Sequence, residues 1–317
     1  MKKITILLAT FLLLTDIFFA QKDVYYDILA TKGNPSIQKS NQNRWDKLKT
    51  GMMLHNNDKI KLAAGDYIVL AGSNGKTLEL KNPGDYSKED VDNLLQGKKK
   101  SMTSKFAGYI VEQIKGQKGI LEKEDYRDNM NVTGSVERGF ASSSASTSQM
   151  IAKIIVPSPR RINILSNSYR FSWKPLENNN EYQIVVTDRF DDEIFKQTIS
   201  GYEFVFDIDK LNLSKDEYYF VKVIAQNNSN LKSDNYCLMF MSDETLKQIN
   251  DSLEALKEEL DDTNSAFANL MYANFYEQNY MFEQAEYHYK MAHQLEPDVE
   301  EYKNLYTAFL SRVQKQH

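Results

Sequence analysis

The sequence predicts a chain of several domains, first β-rich and then α-helical, and three observations support this prediction. Apolar residues alternate with polar ones in residues 58–62 and again in residues 169–225, which is the period of half-buried strands. Beyond residue 242 the apolar spacing becomes three and four, as on one face of a helix. Residues 141–149 are small and uncharged, a composition typical of a flexible tether, and they divide the chain.

The first 20 residues have the layout of a secretory signal peptide. Lys2 and Lys3 precede an apolar stretch of 17 residues, 4–20, which ends at a small residue, Ala20. Asp16 interrupts this stretch, which is short for a membrane span. We therefore expect cleavage after Ala20 and no stable membrane span afterwards; an uncleaved anchor is the alternative. The expected location is the periplasm or the outer membrane.

Composition and charge restrict the function further. The chain has 317 residues, 41% of them hydrophobic, which is enough for two or three folded domains. Its one cysteine, Cys237, excludes an intramolecular disulfide. Residues 243–317 carry six Lys and Arg against 15 Asp and Glu, a net charge of −9. This acidic end argues against a nucleic acid or an anionic lipid surface as its partner.

Residues 21–140 form the first predicted domain, β-rich with some helix. Residues 67–71 and 77–80 are apolar runs on either side of Asn74-Gly75, a strong hairpin signal because both turn positions need positive φ. Ser87, followed by Asp90, predicts the start of a helix. Extended structure is expected again near residues 130–136, and the tether, residues 141–154, follows. Lys98, Lys99 and Lys100 are interpreted as a solvated loop.

Residues 57–86 of this domain resemble the FecR-like family, found in the periplasmic part of bacterial iron-regulation proteins. The resemblance lies in the strand that begins at Asp58, the Gly65-Asp66-Tyr67 turn, Gly75-Lys76 and the closing Pro83-Gly84. It implies a periplasmic sensor. The regulators carry a cytoplasmic segment and a membrane span ahead of this domain, where this chain has only the predicted signal peptide.

Residues 155–242 predict an all-β sandwich, because at least five short alternating strands follow one another with turns between them. The segment Phe171-Ser-Trp173 and the later alternating strand after Leu213 resemble the fibronectin type III family. The resemblance implies that Trp173 is buried. It also implies that Tyr219 buries its ring and bonds its hydroxyl group to the backbone upstream.

Residues 243–317 predict a helical array. Leucines and an isoleucine spaced three and four apart form an amphipathic first helix, with Ser242 or Asp243 as its cap; an isolated coiled-coil seam is the alternative. Residues 266–299 match the signature of a tetratricopeptide (TPR) repeat, in which Ala273 and Ala285 let two helices approach closely and Pro297 ends the second. Residues 299–313 resemble the first helix of a next repeat.

Motifs for catalysis or metal binding are weak. Gly75-Lys76-Thr77 ends like a phosphate-binding loop, but the glycine that should come five residues earlier is Leu70. His288 and His293 are five residues apart on a helix and diverge. The acidic residues 188–193 lack the spacing of a calcium loop. We expect no catalytic, metal-binding or cofactor-binding residues, and no cofactor.

The sequence therefore predicts a non-enzymatic, exported adaptor or scaffold that binds other envelope proteins or peptides, mainly through residues 243–317. A FecR-like periplasmic sensor is the alternative function. Aromatic residues with a polar tip are favoured at interfaces. The predicted partner-binding residues are four tyrosines of the helical end: Tyr280, Tyr287, Tyr302 and Tyr306. The oligomeric state and the partner stay open.

Overall fold

The structure is a computed structural model, and it describes residues 25–96, 102–115 and 153–315. The predicted signal peptide, residues 98–100, the extended segment near residues 130–136 and the tether at residues 141–149 lie outside these ranges. Within them, two β-rich regions precede a C-terminal region of four helices, as the sequence predicts. The boundaries of the predicted domains stay a prediction.

Two antiparallel four-stranded sheets form the N-terminal β region, residues 25–96, in the orders β4-β1-β6-β7 and β3-β2-β5-β8. Apolar side chains from both sheets, among them Ile28, Ile60 and Leu70, form the core between them. The strands are β1 Tyr26–Lys32, β2 Ser36–Gln38, β3 Asp46–Lys47, β4 Met53–Leu54, β5 Lys59–Leu62, β6 Tyr67–Gly72, β7 Thr77–Leu80 and β8 Gly84–Ser87.

The local signals of this region are largely confirmed. The predicted hairpin joins β6 and β7, but of its two predicted positive-φ positions only Gly75 has one, at +82°, and Asn74 does not. A side chain at Gly75 would also collide with Ser104, which lies in the second helix that the structure describes. Ser87 and Asp90 form a reciprocal capping box, and it begins helix α1, Lys88–Leu94. Helix α2, Met102–Lys115, follows.

Residues 153–241 form the predicted β-sandwich. One sheet has the order β12-β11-β14-β16-β9, with β15 paired to β14, and the other consists of β10 and β13. Phe171, Trp173 and Tyr182 lie in its core. The strands are β9 Arg161–Ile164, β10 Ser168–Ser172, β11 Glu181–Thr187, β12 Glu193–Ser200, β13 Glu203–Asp207, β14 Tyr218–Ala225, β15 Asn228–Lys232 and β16 Tyr236–Phe240.

Tyr219 is the tyrosine whose bonding the sequence predicts, and the prediction is confirmed. Its ring is buried. Its hydroxyl group accepts a hydrogen bond from the Ser214 main-chain nitrogen at 2.7 Å and donates to the Ser214 carbonyl oxygen at 3.2 Å. One hydroxyl group thus fixes the loop ahead of β14.

We expect Tyr219→Phe to lower the free energy of unfolding of the sandwich by about 1–2 kcal/mol, because the Ser214 amide loses its acceptor. Urea unfolding followed by tryptophan fluorescence measures the change. Tyr202→Phe is the matched control, since Tyr202 is 55% exposed. Equal midpoints for the two variants would show that these bonds add no stability.

The helical region, residues 243–315, contains α3 Asp243–Glu258, α4 Ala266–Gln278, α5 Phe282–Leu295 and α6 Glu300–Lys315. Ser242 caps α3, as predicted, by accepting a hydrogen bond from the Thr245 amide. Ala273 and Ala285 are fully buried where α4 and α5 pack against each other. The chain turns between these two helices at Tyr280, which has φ +56°.

The sheet that contains β1 and β6 is covered on both faces. Ile68 and Leu70 point into the core of the N-terminal β region, whereas Tyr67, Val69 and Ala71 join the core of the helical region. Every residue of the run 67–71 is therefore buried, as is typical of strands covered on both sides. The N-terminal sheet and the C-terminal helices share one hydrophobic core.

Helix α2 packs into the same core. The rings of Phe106 and Phe275 meet edge to face, with centroids 5.7 Å apart. Thr103 donates from its amide and its hydroxyl group to Glu259, at 2.8 and 3.0 Å. A helix that precedes the predicted tether thus belongs, by its contacts, to the helical region.

The sandwich contacts the helical region at the turn between α4 and α5. The Asn163 amide donates to the Tyr280 carbonyl oxygen at 3.1 Å, and the Asn163 side chain donates to the Asn279 carbonyl oxygen at 2.8 Å. The Arg161 guanidinium lies 3.9 Å from the centroid of the Tyr280 ring, a cation–π contact. Met239 and Met241 from the end of β16 pack against Met281 beside this turn.

Candidate interaction surface

The four tyrosines predicted to bind a partner lie in different environments and do not line one groove. Tyr302 is 1% exposed and Tyr287 is 59% exposed. Tyr280 lies between the sandwich and the helices, in contact with Arg161. Tyr306 is half-buried and donates to Glu286 at 3.2 Å. Tyr302 is not accessible to a partner, because its side chain is buried and bonds Tyr67 inside the chain.

Tyr302 connects α6 to the N-terminal sheet. Tyr67 donates its hydroxyl proton to Glu79 at 2.9 Å, and its oxygen lies 2.9 Å from the Tyr302 hydroxyl group. Since Tyr67 has one proton, Tyr302 must be the donor to Tyr67. Burial, together with Tyr302 and Glu79, raises the pKa of Tyr67 well above 10. Both hydroxyl groups therefore stay protonated and hold the interface together.

Helices α4 and α5 form a partly exposed aromatic surface. It consists of Tyr276 from α4 and Tyr287 and His288 from α5, with the buried Tyr272 ring in contact with His288, and we call it the aromatic surface. The His288 ring stacks on Tyr276, with centroids 5.4 Å apart and planes 8° apart. It meets Tyr272 and Tyr287 edge to face, at 5.4 and 5.0 Å. Tyr276 and His288 are half-buried, and Tyr287 projects furthest into solvent.

The hydrogen bonds around His288 determine its tautomer. Asn269 donates its side-chain nitrogen to the Ser265 carbonyl oxygen at 3.0 Å, so its side-chain oxygen is the atom that faces His288. That oxygen lies 2.9 Å from Nδ1 of His288 and can only accept. Nδ1 therefore carries the proton, and Nε2 presents a lone pair. Within residues 25–96, 102–115 and 153–315, no hydrogen bond to Nε2 is present.

Charged residues of α3 border the aromatic surface. Lys257 and Glu254 form an ion pair at 2.8 Å, and their side chains are 36% and 65% exposed. Burial and the charge of Lys257 lower the pKa of His288 to about 4. Burial also raises the pKa of Tyr272 to about 12, with Glu254 and Asp262 contributing. At neutral pH the surface thus consists of uncharged rings, one of which carries an acceptor nitrogen.

The lowered pKa of His288 predicts that acid weakens the helical region. Between pH 6.5 and about 4 the unfolded chain binds a proton on His288 that the folded chain does not, so stability falls as the pH falls through this window. Lys257 and Glu254 of α3, Asn269, Tyr272 and Tyr276 of α4, and Tyr287 beside it are the groups around the ring. We expect a loss of about 1–2 kcal/mol, less than the full shift implies because part of the ring faces water.

Denaturant unfolding at several pH values tests this expectation. His288→Phe keeps a ring that can stack on Tyr276 but cannot be protonated, so its stability should depend less on pH between 4 and 6.5. A His288→Phe profile parallel to that of the parent would contradict the assignment.

The described residues contain no metal-binding group and no membrane-spanning helix. Among residues 25–96, 102–115 and 153–315, no three His, Cys, Asp or Glu side chains are grouped so that they could hold a metal ion. No helix of the part that the structure describes is both long enough and apolar enough to cross a bilayer. Burial raises the pKa of Cys237 to about 12, as for an unreactive core thiol.

The role of His288 in this surface is not predicted from the sequence, where His288 is only a weak candidate metal ligand together with His293. The signal was the spacing on α4: Asn269, Tyr272 and Tyr276 are three and four residues apart and so share one helix face. That His288 of α5 stacks on this face depends on how the two helices pack, which the spacing does not give.

No family model matches the chain, and no curated protein matches it. Among solved structures, the chain is similar to the fn3 domain of the human collagen alpha-1(XX) chain, at 16% identity and a TM-score of 0.20, covering 32% of this chain and 93% of that one. It is also similar to the FN1-FN3 domains of chicken CNTN1, at 11% identity and a TM-score of 0.22, covering 69% of this chain and 57% of that one. At such TM-scores neither likeness supports a conclusion about function, and the sandwich assignment rests on its own strand order and core.

Proposed function

We propose that this chain is an exported adaptor of the bacterial cell envelope, and that it associates with another protein through the helical region. The aromatic surface is the docking site in this proposal. Tyr287, Tyr276 and His288 are exposed or half-buried aromatic side chains on neighbouring helices. Aromatic residues of this kind are enriched in protein interfaces because they bury a large area at a low entropy cost.

One observation carries the proposal: the N-terminal β region and the sandwich both pack against the helical region. Tyr67, Val69 and Ala71 cover one side of the helical region, and the Asn163–Tyr280 contacts attach the sandwich at another. Tyr276 of the aromatic surface packs against Met239, Met241 and Met281 at the sandwich contact, so the surface is held by a preorganised scaffold. Preorganisation lowers the entropy cost of binding and therefore favours a recognition role.

The finer assignments belong to this proposal. In it, the N-terminal β region is FecR-like, the sandwich is fibronectin type III-like and residues 266–299 are one TPR-like repeat. The hydrogen bond from Tyr219 to the Ser214 carbonyl oxygen and the buried Trp173 support the second assignment. The fully buried Ala273 and Ala285 between α4 and α5 support the third. Export to the periplasm or outer membrane rests on the N-terminal signal-peptide pattern.

Site-specific photo-cross-linking tests the adaptor function. A photoreactive phenylalanine replaces Tyr287 in the tagged, exported chain, and a second chain carries it at Tyr202, an equally exposed tyrosine of the sandwich. We expect one defined adduct from position 287 and none of that mass from position 202. Identical adducts from both positions, or none from 287, would overturn the proposal. Deleting residues 243–317 is a poorer test, because it would uncover Tyr67, Val69 and Ala71.

A regulatory sensor is the second candidate, and the shared core favours it. In this candidate function, the Tyr67–Tyr302 hydrogen bond is the contact through which a change in the N-terminal sheet would reach α6. A sensor predicts that Tyr302→Phe, which keeps the buried ring and loses only the hydrogen bond, changes transcription of a target set in cells while the Tyr287 cross-link persists. An adaptor predicts unchanged transcription.

A further inference from the structure

We propose that the aromatic surface binds the lysine side chain of a basic partner segment, with Nε2 of His288 as the acceptor for the ammonium group. This inference rests on the proposed function and names the chemistry of its partner. Three properties of the surface carry it: an acceptor atom without a hydrogen bond among the residues that the structure describes, aromatic rings beside that atom, and an excess of carboxylates on the flanking helices.

The first property is the hydrogen-bond acceptor, Nε2 of His288. Asn269 holds Nδ1 of His288 as a donor, at 2.9 Å, so the ring cannot offer a second donor unless it becomes charged. A ligand that approaches Nε2 must therefore bring a hydrogen-bond donor. An ammonium group has three donors and no acceptor, whereas a carboxylate has acceptors only and would face the lone pair unfavourably.

The rings around His288 favour a cation over a neutral donor. Tyr276 stacks on the His288 ring, and Tyr287 meets it edge to face at 5.0 Å. Aromatic faces attract a lysine ammonium through their negative quadrupole when the cation lies within roughly 6 Å of the ring centroid. Tyr287 is 59% exposed and can close over a side chain that enters beside Nε2.

The charge of the flanking helices also selects a basic partner. Glu254 and Glu258 of α3 and Glu283 and Glu286 of α5 are exposed carboxylates on the two helices beside the surface. Lys257 and Lys290 are the nearby bases, and Lys257 is paired with Glu254 at 2.8 Å. Opposite charge across an interface accelerates encounter and disfavours acidic partners. Glu286 is bonded to Tyr306 of α6, and the charge of Lys257 that acts on His288 is offset by its pair with Glu254, so the net charge of the border favours a basic segment over an acidic one.

Peptide titration on the purified full chain tests the inference. The probe is a ten-residue peptide with one central lysine among glycine, serine and arginine, and its matched control has norleucine, which keeps the carbon chain and removes the charge. We expect the lysine peptide to bind at least fivefold more tightly, and the His288 imidazole signal in NMR to shift only with that peptide. Equal affinities for the two peptides would overturn the inference.

Two variants place the binding at this surface. His288→Phe keeps an aromatic ring and removes the acceptor, and Tyr287→Ala removes an exposed ring that the fold does not need. Each should weaken the lysine peptide about fivefold, whereas Tyr202→Ala should not change it. Thermal unfolding of His288→Phe checks that this variant is folded, and Tyr287→Ala gives an independent result if it is not. Unchanged affinity in Tyr287→Ala would contradict the site.

The experiments can overturn the adaptor function and the lysine site independently. A partner cross-linked at position 287 with no preference for lysine over norleucine leaves the adaptor function and removes the lysine site. Lysine-selective peptide binding without a cross-linked protein in cells leaves the site and removes the adaptor function.

Discussion

Replacing Glu277 with alanine is expected to lower the free energy of unfolding by about 3–5 kcal/mol, because it leaves the Arg312 guanidinium without its buried partner. Arg312 donates from Nε to one oxygen of Glu277 at 2.8 Å and from an NH2 group to the other at 2.9 Å. This bidentate pair joins α4 to α6. The Glu277 side chain is 3% exposed and that of Arg312 is 16% exposed.

Tyr289 extends the pair to a third helix. Its hydroxyl group donates to Glu277 at 2.7 Å from a fully buried position on α5. Burial opposes the charge of Arg312, but Glu277 and Tyr289 outweigh it and raise the pKa of Arg312 above its usual value. Removing the carboxylate therefore leaves a buried cation without its partner, and the Tyr289 hydroxyl group keeps only its longer hydrogen bond to Asn274, at 3.3 Å.

Guanidinium chloride unfolding measures the loss, and a double variant identifies its cause. Glu277→Leu together with Arg312→Met replaces the pair with apolar side chains of similar size. Such replacements are often neutral or stabilising, so this variant should recover most of the stability that Glu277→Ala loses. If the double variant were as unstable as Glu277→Ala, lost packing rather than an unpaired charge would explain the result.

The elements of the fold are largely predictable because their signals are local. The capping box at Ser87, the turn at Gly75 and the cap at Ser242 each depend on residues within a few positions of one another, and each is confirmed. The hydrogen bond between Tyr219 and Ser214 is also local, since the two residues are five positions apart. In these cases the chain chemistry determines the structure without reference to the rest of the molecule.

The packing between regions is not local, and the sequence reasoning missed it. The Tyr67–Tyr302 hydrogen bond joins residues 235 positions apart. Two hints were present: the unbroken apolar run at residues 67–71, and the even distribution of apolar residues around α4, nearly all of which are buried. A strand or helix with no polar face must be covered on all sides. The sequence shows that a cover is needed but not which region supplies it.

The candidate site also depends on contacts between distant residues, which the sequence does not predict. Tyr287 was predicted as a partner-binding residue and is exposed, but the surface around it is completed by His288, whose tautomer depends on Asn269 of another helix. A sequence contains no record of which nitrogen carries a proton. That property follows only from the hydrogen bonds of the folded chain.

The contact between the N-terminal sheet and α6 gives the second large effect. We expect Tyr302→Ala to cost about 3–5 kcal/mol, the range for removing a large buried ring from a core. Tyr302 is 1% exposed, and its ring fills space between α6 and the sheet. The substitution also removes a hydrogen bond to Tyr67, which still donates to Glu79 at 2.9 Å.

The form of the unfolding curve is the decisive measurement for Tyr302→Ala. The parent chain should lose the N-terminal sheet and the helices together, because they share one core; in the variant the sheet should become labile first. Hydrogen exchange of the β6 amides, compared with those of α4, resolves this difference. Tyr302→Phe keeps the ring and loses only the hydrogen bond, so it should cost about 1–2 kcal/mol and preserve joint unfolding. Joint unfolding in Tyr302→Ala would mean that Val69, Ala71 and helix α2 suffice to connect the two regions, and the sensor function would then lose the contact on which it depends.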